Sequence, residues 1–128
     1  MKIINSILIM ITILTFAACE KKKATFYVKS NLLQYDSVVA GKTYDTSFYI
    51  YNTGTDTLSI FNHTCTCECT LIDLPDGQKI NPKDSFLLKL KLNIDSYGSA
   101  KDKKVQCTFK SNSDSIFSRL EIKYTVKK

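Results

Sequence analysis

Alternation with a period of two runs through most of the chain, and it limits the possible folds more than any other feature. In 85-SFLLKLKLNI-94, Phe86, Leu88, Leu90, Leu92 and Ile94 share one face, whereas Leu87, Lys89, Lys91 and Asn93 share the other. Successive side chains of an extended chain project to opposite faces, so this segment is a strand with one buried and one wet side. The segment 117-FSRLEIKYTV-126 repeats the pattern, with Leu120, Ile122, Tyr124 and Val126 inward. In 103-KKVQCTFKSN-112, Val105, Cys107 and Phe109 alternate with polar residues, which places Cys107 in a core row. Strands are also predicted in 25-TFYVK-29, 43-TYDTSFYIYN-52, 57-TLSIFNHT-64 and 71-LIDL-74, with looser chain between the first of these and Gly41. Turn signals stand at Asn52-Thr53-Gly54, Pro75-Asp76-Gly77 and 81-NPKD-84. No long helical pattern competes. About seven short strands at this spacing predict an all-β, antiparallel sandwich. Periodicity does not separate it from a small open barrel.

The first residues, 1-MKIINSILIMITILTFAACEKKK-23, have a different character. A basic start, an apolar run from Ile3 to Phe16 and small residues before Cys19 form a secretory signal. The run is shorter than the roughly 17–25 residues that span a bilayer. The small residues before Cys19 resemble the lipobox of bacterial lipoproteins, in which the cysteine becomes the first mature residue and carries the lipid (palmitate among the acyl groups). The chain then divides into a signal peptide (1–18), a lipidated cysteine with a short basic tether (19–24) and a β-sandwich domain (25–128). The 109 residues after Cys19 suffice for one core and not for two ordinary domains. Lys21, Lys22 and Lys23 form either a charged spacer or a contact with anionic headgroups. Glu20 is not the aspartate that resembles an inner-membrane retention signal in some bacteria. The expected location is thus the cell envelope, on the outer membrane, with its face open.

Export makes the remaining cysteines informative. Cys65, Cys67 and Cys69 alternate within 63-HTCTCECT-70, and Cys107 makes four. An even number of cysteines in an oxidising compartment predicts disulfides, with all connectivities open. One route joins Cys107 to a member of the row. A Cys67–Cys69 bond needs a tight bend, because residues two apart on a flat strand are separated by about 6.6 Å of rise. A second use is metal: His63, Cys65, Cys67 and Cys69 are a soft-ligand row suited to copper or zinc. Thiol exchange is less favoured, since neither a helix N-terminus nor a two-residue-spaced cysteine motif is present.

Other chemistries find little support. The single histidine has no nucleophile elbow to serve, and phosphate-binding glycine loops are absent. The net charge of +6 comes from lysines that alternate with acids instead of forming a stripe, which argues against a nucleic-acid partner. No cofactor is implied. Tyr49 and Tyr51 are available either for an interaction surface or for a covered sheet face.

The order of these elements carries a likeness. An aromatic strand, Asn52-Thr53-Gly54, an apolar strand, Cys67-Glu68-Cys69-Thr70, the Asn81-Pro82 turn, a long alternating strand and 111-SNS-113 follow one another. From about Tyr44 to Val126 this resembles bacterial domain-of-unknown-function family number 1573, an immunoglobulin-like module of envelope lipoproteins. Its cysteine-glycine-cysteine-threonine signature maps onto Cys67, Glu68, Cys69 and Thr70. Glu68 replaces the usual glycine, and Lys83 follows Pro82 where glycine is common. A sharp turn with positive φ would be costly for glutamate. The resemblance implies an immunoglobulin-like fold and an envelope location, and no activity. The expected function is a non-catalytic, lipid-anchored module that binds or supports an envelope protein or glycan, with soft-metal binding as the alternative.

Overall fold

The computed structural model describes residues 20–95 and 102–127. The expected signal segment, Cys19 and residues 96–101 lie outside the described residues. Nine strands run in the order β1 (Phe26–Val28), β2 (Leu32–Val39), β3 (Thr43–Asn52), β4 (Leu58–Cys65), β5 (Thr70–Asp73), β6 (Gln78–Ile80), β7 (Ser85–Asn93), β8 (Asp102–Ser111) and β9 (Phe117–Lys127). They form a four-stranded sheet, β1-β3-β7-β5, and a five-stranded sheet, β2-β9-β8-β4-β6. Two separate sheets make this an immunoglobulin-like sandwich and not a barrel.

The alternating segments form the centre of both sheets. On β7, Leu88, Leu90 and Leu92 are buried, and they face Val105, Cys107 and Phe109 of β8 and Leu120 and Ile122 of β9 within one apolar cluster. Removing such side chains from water is the main favourable contribution to folding, at about 1.5–3 kcal/mol each. β3 pairs with β7 from Thr43↔Asn93 to Tyr51↔Ser85, and β8 pairs with β9 from Asp102↔Thr125 to Lys110↔Phe117.

The strand count exceeds the expected seven at two places. The segment before Gly41, expected to be looser chain, forms β2, which pairs parallel with β9 and shifts register between Tyr35 and Val38. That irregularity hides its alternation. β6 is only three residues long and sits between turns, where periodicity has nothing to count. A further irregularity lies in β4: the register with β8 shifts between Ile60 and Asn62. An extra residue in one strand reverses which face the following side chains meet. Leu58 and Ile60 accordingly point inward before the shift, and His63 and Cys65 after it.

The folded unit begins before residue 25. The Lys23 carbonyl accepts hydrogen bonds from Thr55 N at 2.7 Å and Asp56 N at 3.1 Å, and Ala24 is buried. A Cβ on Gly54 would collide with that carbonyl, so glycine is what lets the N-terminal segment dock. Beside it, the Asn52 side chain is saturated. Its Oδ1 accepts from Thr25 N and Gly54 N, and its Nδ2 donates to the carbonyls of Asp56 and Ile80. Lys23 and Ala24, expected within the tether of 19–24, are thus docked on the domain.

Candidate functional site

The cysteines meet where the chain changes sheets. β4 ends at Cys65 in the five-stranded sheet, and β5 starts at Thr70 in the four-stranded one. Between them the chain bends, with Thr66 N donating to Gln106 O at 2.9 Å and Thr70 N to Cys67 O at 3.3 Å. The bend takes Cys67 and Cys69 out of line with His63 and Cys65, so the regular four-residue row does not form.

Two disulfides occupy this corner. Cys65 faces Cys107 across the β4–β8 ladder at a Cα separation of 4.0 Å, at a narrow, non-hydrogen-bonded position of the antiparallel pair. Cys67 joins Cys69 across the bend, with Cα atoms 5.1 Å apart. The two bonds differ in what they do for the fold. In the chain-entropy account, one that ties residues 42 apart stabilises by about 4 kcal/mol, and one spanning a single residue by about 1.5 kcal/mol. Cys107 is fully buried, whereas Cys65, Cys67 and Cys69 are partly exposed. Cys69 N donates to Cys67 Sγ at 3.2 Å, and Thr70 Oγ1 lies 3.9 Å from Cys69 Sγ.

His63 stands apart from this chemistry. Its ring centroid is 6.2 Å from that of Phe109, its cross-strand neighbour. Among the described residues, no three His, Cys, Asp or Glu side chains form a group that could hold a metal ion. Nor does the left-handed backbone fall at Glu68. The single described non-glycine residue with positive φ is Lys83, at 64°. This is the position where the resembling family favours glycine. Lys83 N bonds to Asn52 O, and its ammonium donates to Thr53 O at 2.8 Å.

A second feature escaped the sequence. β1 covers only Ile50 to Asn52 of β3, so Thr43 to Tyr49 have no strand partner on that side among the described residues. Hydrogen bonds at the two ends of β3 give the direction of each backbone group. Asn52 N donates to Asp84 O, and Lys42 O accepts from Ile94 N, so the even-numbered residues face β7. Thr53 N donates to Thr25 O, so the odd-numbered ones face outward. In an antiparallel strand these directions alternate residue by residue. The N–H and C=O groups of Asp45 and Ser47 are therefore free on the open edge.

Apolar surface accompanies these groups. Phe48, on the inner face of β3, is partly exposed, although its β7 neighbour Leu88 is fully buried. It borders a cleft of about 390 Å³ with Val28, Leu33, Tyr49 and Tyr51, at the point where β1 leaves one sheet for β2 in the other. The Tyr51 ring lies 6.3 Å from that of Tyr27 and 6.0 Å from that of Tyr49. The sequence signal for this edge is the mismatch between a short first strand and a long β3.

Known proteins place the fold. A protein of unknown function from Porphyromonas gingivalis W83 aligns with a TM-score of 0.68 at 18% identity, over 86% of this chain and 50% of that one. The chain thus spans half the length of that protein. PapD-like domain 7 of human CEP192 aligns with a TM-score of 0.66 at 7% identity, over 88% of this chain and 92% of that one. The CupB2 chaperone of Pseudomonas aeruginosa aligns at 0.58 and 7% identity, over 78% of this chain and 55% of that one. No curated protein matches in sequence. Likeness at these identities is likeness of fold. The family described as Protein of unknown function (DUF1573) matches residues 21–126, and the chain belongs to it.

Proposed function

We propose that this protein is a non-catalytic, lipid-anchored module of the cell envelope that holds an extended segment of a partner protein on the open edge of β3. The observation that carries this reading is the edge itself: unpaired backbone groups at Asp45 and Ser47 beside an apolar cleft floored by Phe48 and Leu33. An added strand would satisfy the backbone groups and place alternate side chains in the cleft, the usual division between affinity and specificity in strand addition. The other edges suit this role less well. β5 and β6 are short and β2 is irregular, and such features blunt an edge. The periplasmic setting of SfaE, a chaperone of similar fold, agrees with an envelope location. The signal segment and Cys19 supply the anchor, and the outer membrane is the proposed site.

The test exploits backbone direction. Ser47→Pro removes only the outward N–H and leaves the β3–β7 ladder whole, whereas Thr46→Pro breaks that ladder. A photo-crosslinking residue at position 49 should capture a defined protein in cells and lose it when Ser47→Pro is added. A crosslinker at position 119, on the other sheet, should capture none. Capture that survives Ser47→Pro, or that arises equally from position 119, overturns the strand-addition reading. Capture of glycan instead would move the site to the Tyr27, Tyr49 and Tyr51 face. Cys19→Ser should release the protein from the membrane fraction, and retention there would refute the lipid anchor.

A further inference from the structure

We infer that the Cys67–Cys69 disulfide is an exchange site for thiols, while Cys65–Cys107 is the bond that holds the fold. The inference does not depend on the β3 edge. It rests on three properties that separate the two bonds. The Cys67–Cys69 bond spans one residue, so the native chain gains little by keeping it. Both of its cysteines are partly exposed, whereas Cys107 is fully buried. Its bend is held independently on both sides, by Thr66 N to Gln106 O and by Asn93 N to Cys69 O at 2.7 Å. Opening the bond therefore leaves the neighbouring ladders in place.

The local hydrogen bond sets the direction of reaction. Cys69 N–H donates to Cys67 Sγ, and a donor to sulfur favours the thiolate over the thiol. Reactive thiols commonly receive this help from a helix N-terminus. Here one amide of the bend supplies it. Cys67 is consequently the better leaving group, and leaving-group stability accelerates exchange. An incoming thiolate attacks Cys69 Sγ, the Cys67–Cys69 bond breaks, and Cys67 leaves as the thiolate. A second thiol of the same attacking molecule then attacks the sulfur bonded to Cys69. A new disulfide forms on that molecule, and Cys69 is released. Two electrons and two protons pass from a dithiol to the domain, leaving Cys67 and Cys69 reduced. The reverse reaction, with a disulfide-bearing protein as oxidant, restores the bond. The implied substrates are dithiol and disulfide proteins of the envelope.

The test uses the full chain, purified oxidised, with any Cys19 thiol alkylated beforehand, and equilibrated with graded ratios of reduced to oxidised dithiothreitol. After acid quench and alkylation, mass mapping counts thiols at each ratio while circular dichroism follows the fold. Two thiols should appear first, at Cys67 and Cys69, at a ratio at least about tenfold lower than that for Cys65 and Cys107, with the spectrum unchanged. In Cys69→Ser, the Cys67 thiol should titrate below the ordinary cysteine value of about 8.5 and below the Cys69 thiol of Cys67→Ser. A purely structural bond would not produce that asymmetry. Release of all four thiols together, earlier release of Cys65 and Cys107, or equal thiol titrations in the two single variants would overturn the inference.

Discussion

Replacing Asn52 tests how the loop end of the sandwich is held together. The side chain is 1% exposed. It makes four hydrogen bonds, which is all an asparagine amide can accept and donate. Asn52→Leu keeps the volume and removes every one. The groups on Gly54 N and Ile80 O are buried, so each loses its partner without access to water, at about 1–3 kcal/mol apiece. Thr25 N and Asp56 O are only partly buried, and water replaces the amide there at about 0.5–1.5 kcal/mol each. Together these come to about 6 kcal/mol, against a total of roughly 5–15 kcal/mol for a domain. Urea unfolding followed by circular dichroism, with disulfides intact, should show a midpoint about 4 M lower, taking m as about 1.5 kcal/mol/M. Asn52→Asp adds a control on mechanism. Its carboxylate would face two carbonyls, which raises its folded pKa above the unfolded value. Stability should then be fullest at acid pH and fall as pH rises through the folded pKa, a trend that Asn52→Leu lacks. A Leu variant within about 1 kcal/mol of the parent would refute the account.

Three other outcomes are expected. Removing the Cys65–Cys107 bond by paired alanine substitution should cost about 4 kcal/mol in the chain-entropy account, and removing Cys67–Cys69 no more than about 1.5 kcal/mol, measured by the same urea titration. At the left-handed Lys83, Lys83→Gly should be more stable than Lys83→Ala by about 1 kcal/mol, the reverse of their usual order; both lose the bond to Thr53, so the difference isolates backbone conformation. The Asp114 carboxylate is held below its ordinary value of 3.8, first by the hydrogen bond from Ser113 and then by Lys23. A depressed carboxylate pKa stabilises the fold above the unfolded value and ceases to do so as pH falls through the folded one. In a carboxyl NMR titration, Lys23→Met should raise the Asp114 pKa only part of the way back, because the Ser113 contact remains.

The central strands were legible because each presents one face to the core. Leu88, Leu90 and Leu92 could alternate only with wet residues, and no helix accommodates that period. Edge elements obey a weaker rule. β2 pairs with one neighbour and breaks register after Tyr35, so its apolar residues do not alternate cleanly. The cysteine row was legible as chemistry and not as geometry. The bend between β4 and β5 depends on a change of sheet, which is a tertiary event with no local period. Of the two positions where a family glycine is replaced, Glu68 and Lys83, only Lys83 keeps a left-handed backbone, and residue type alone does not tell the two apart. The open edge of β3 could have been suspected from strand lengths alone, three residues against ten.

The two ends of β4 also orient the molecule. Its eight residues run from the turn that receives Lys23 to the corner that contains the disulfides. At about 3.3 Å of rise per residue, that is a span of about 26 Å. Under the proposed lipid anchor, the segment before Lys23 would hold one end of the sandwich towards the lipid and display the cysteine corner at the other. Under that proposal, large dithiol proteins would reach Cys67 and Cys69 without meeting the headgroups, and the β3 edge, running between the two ends, would lie alongside a neighbour on the membrane.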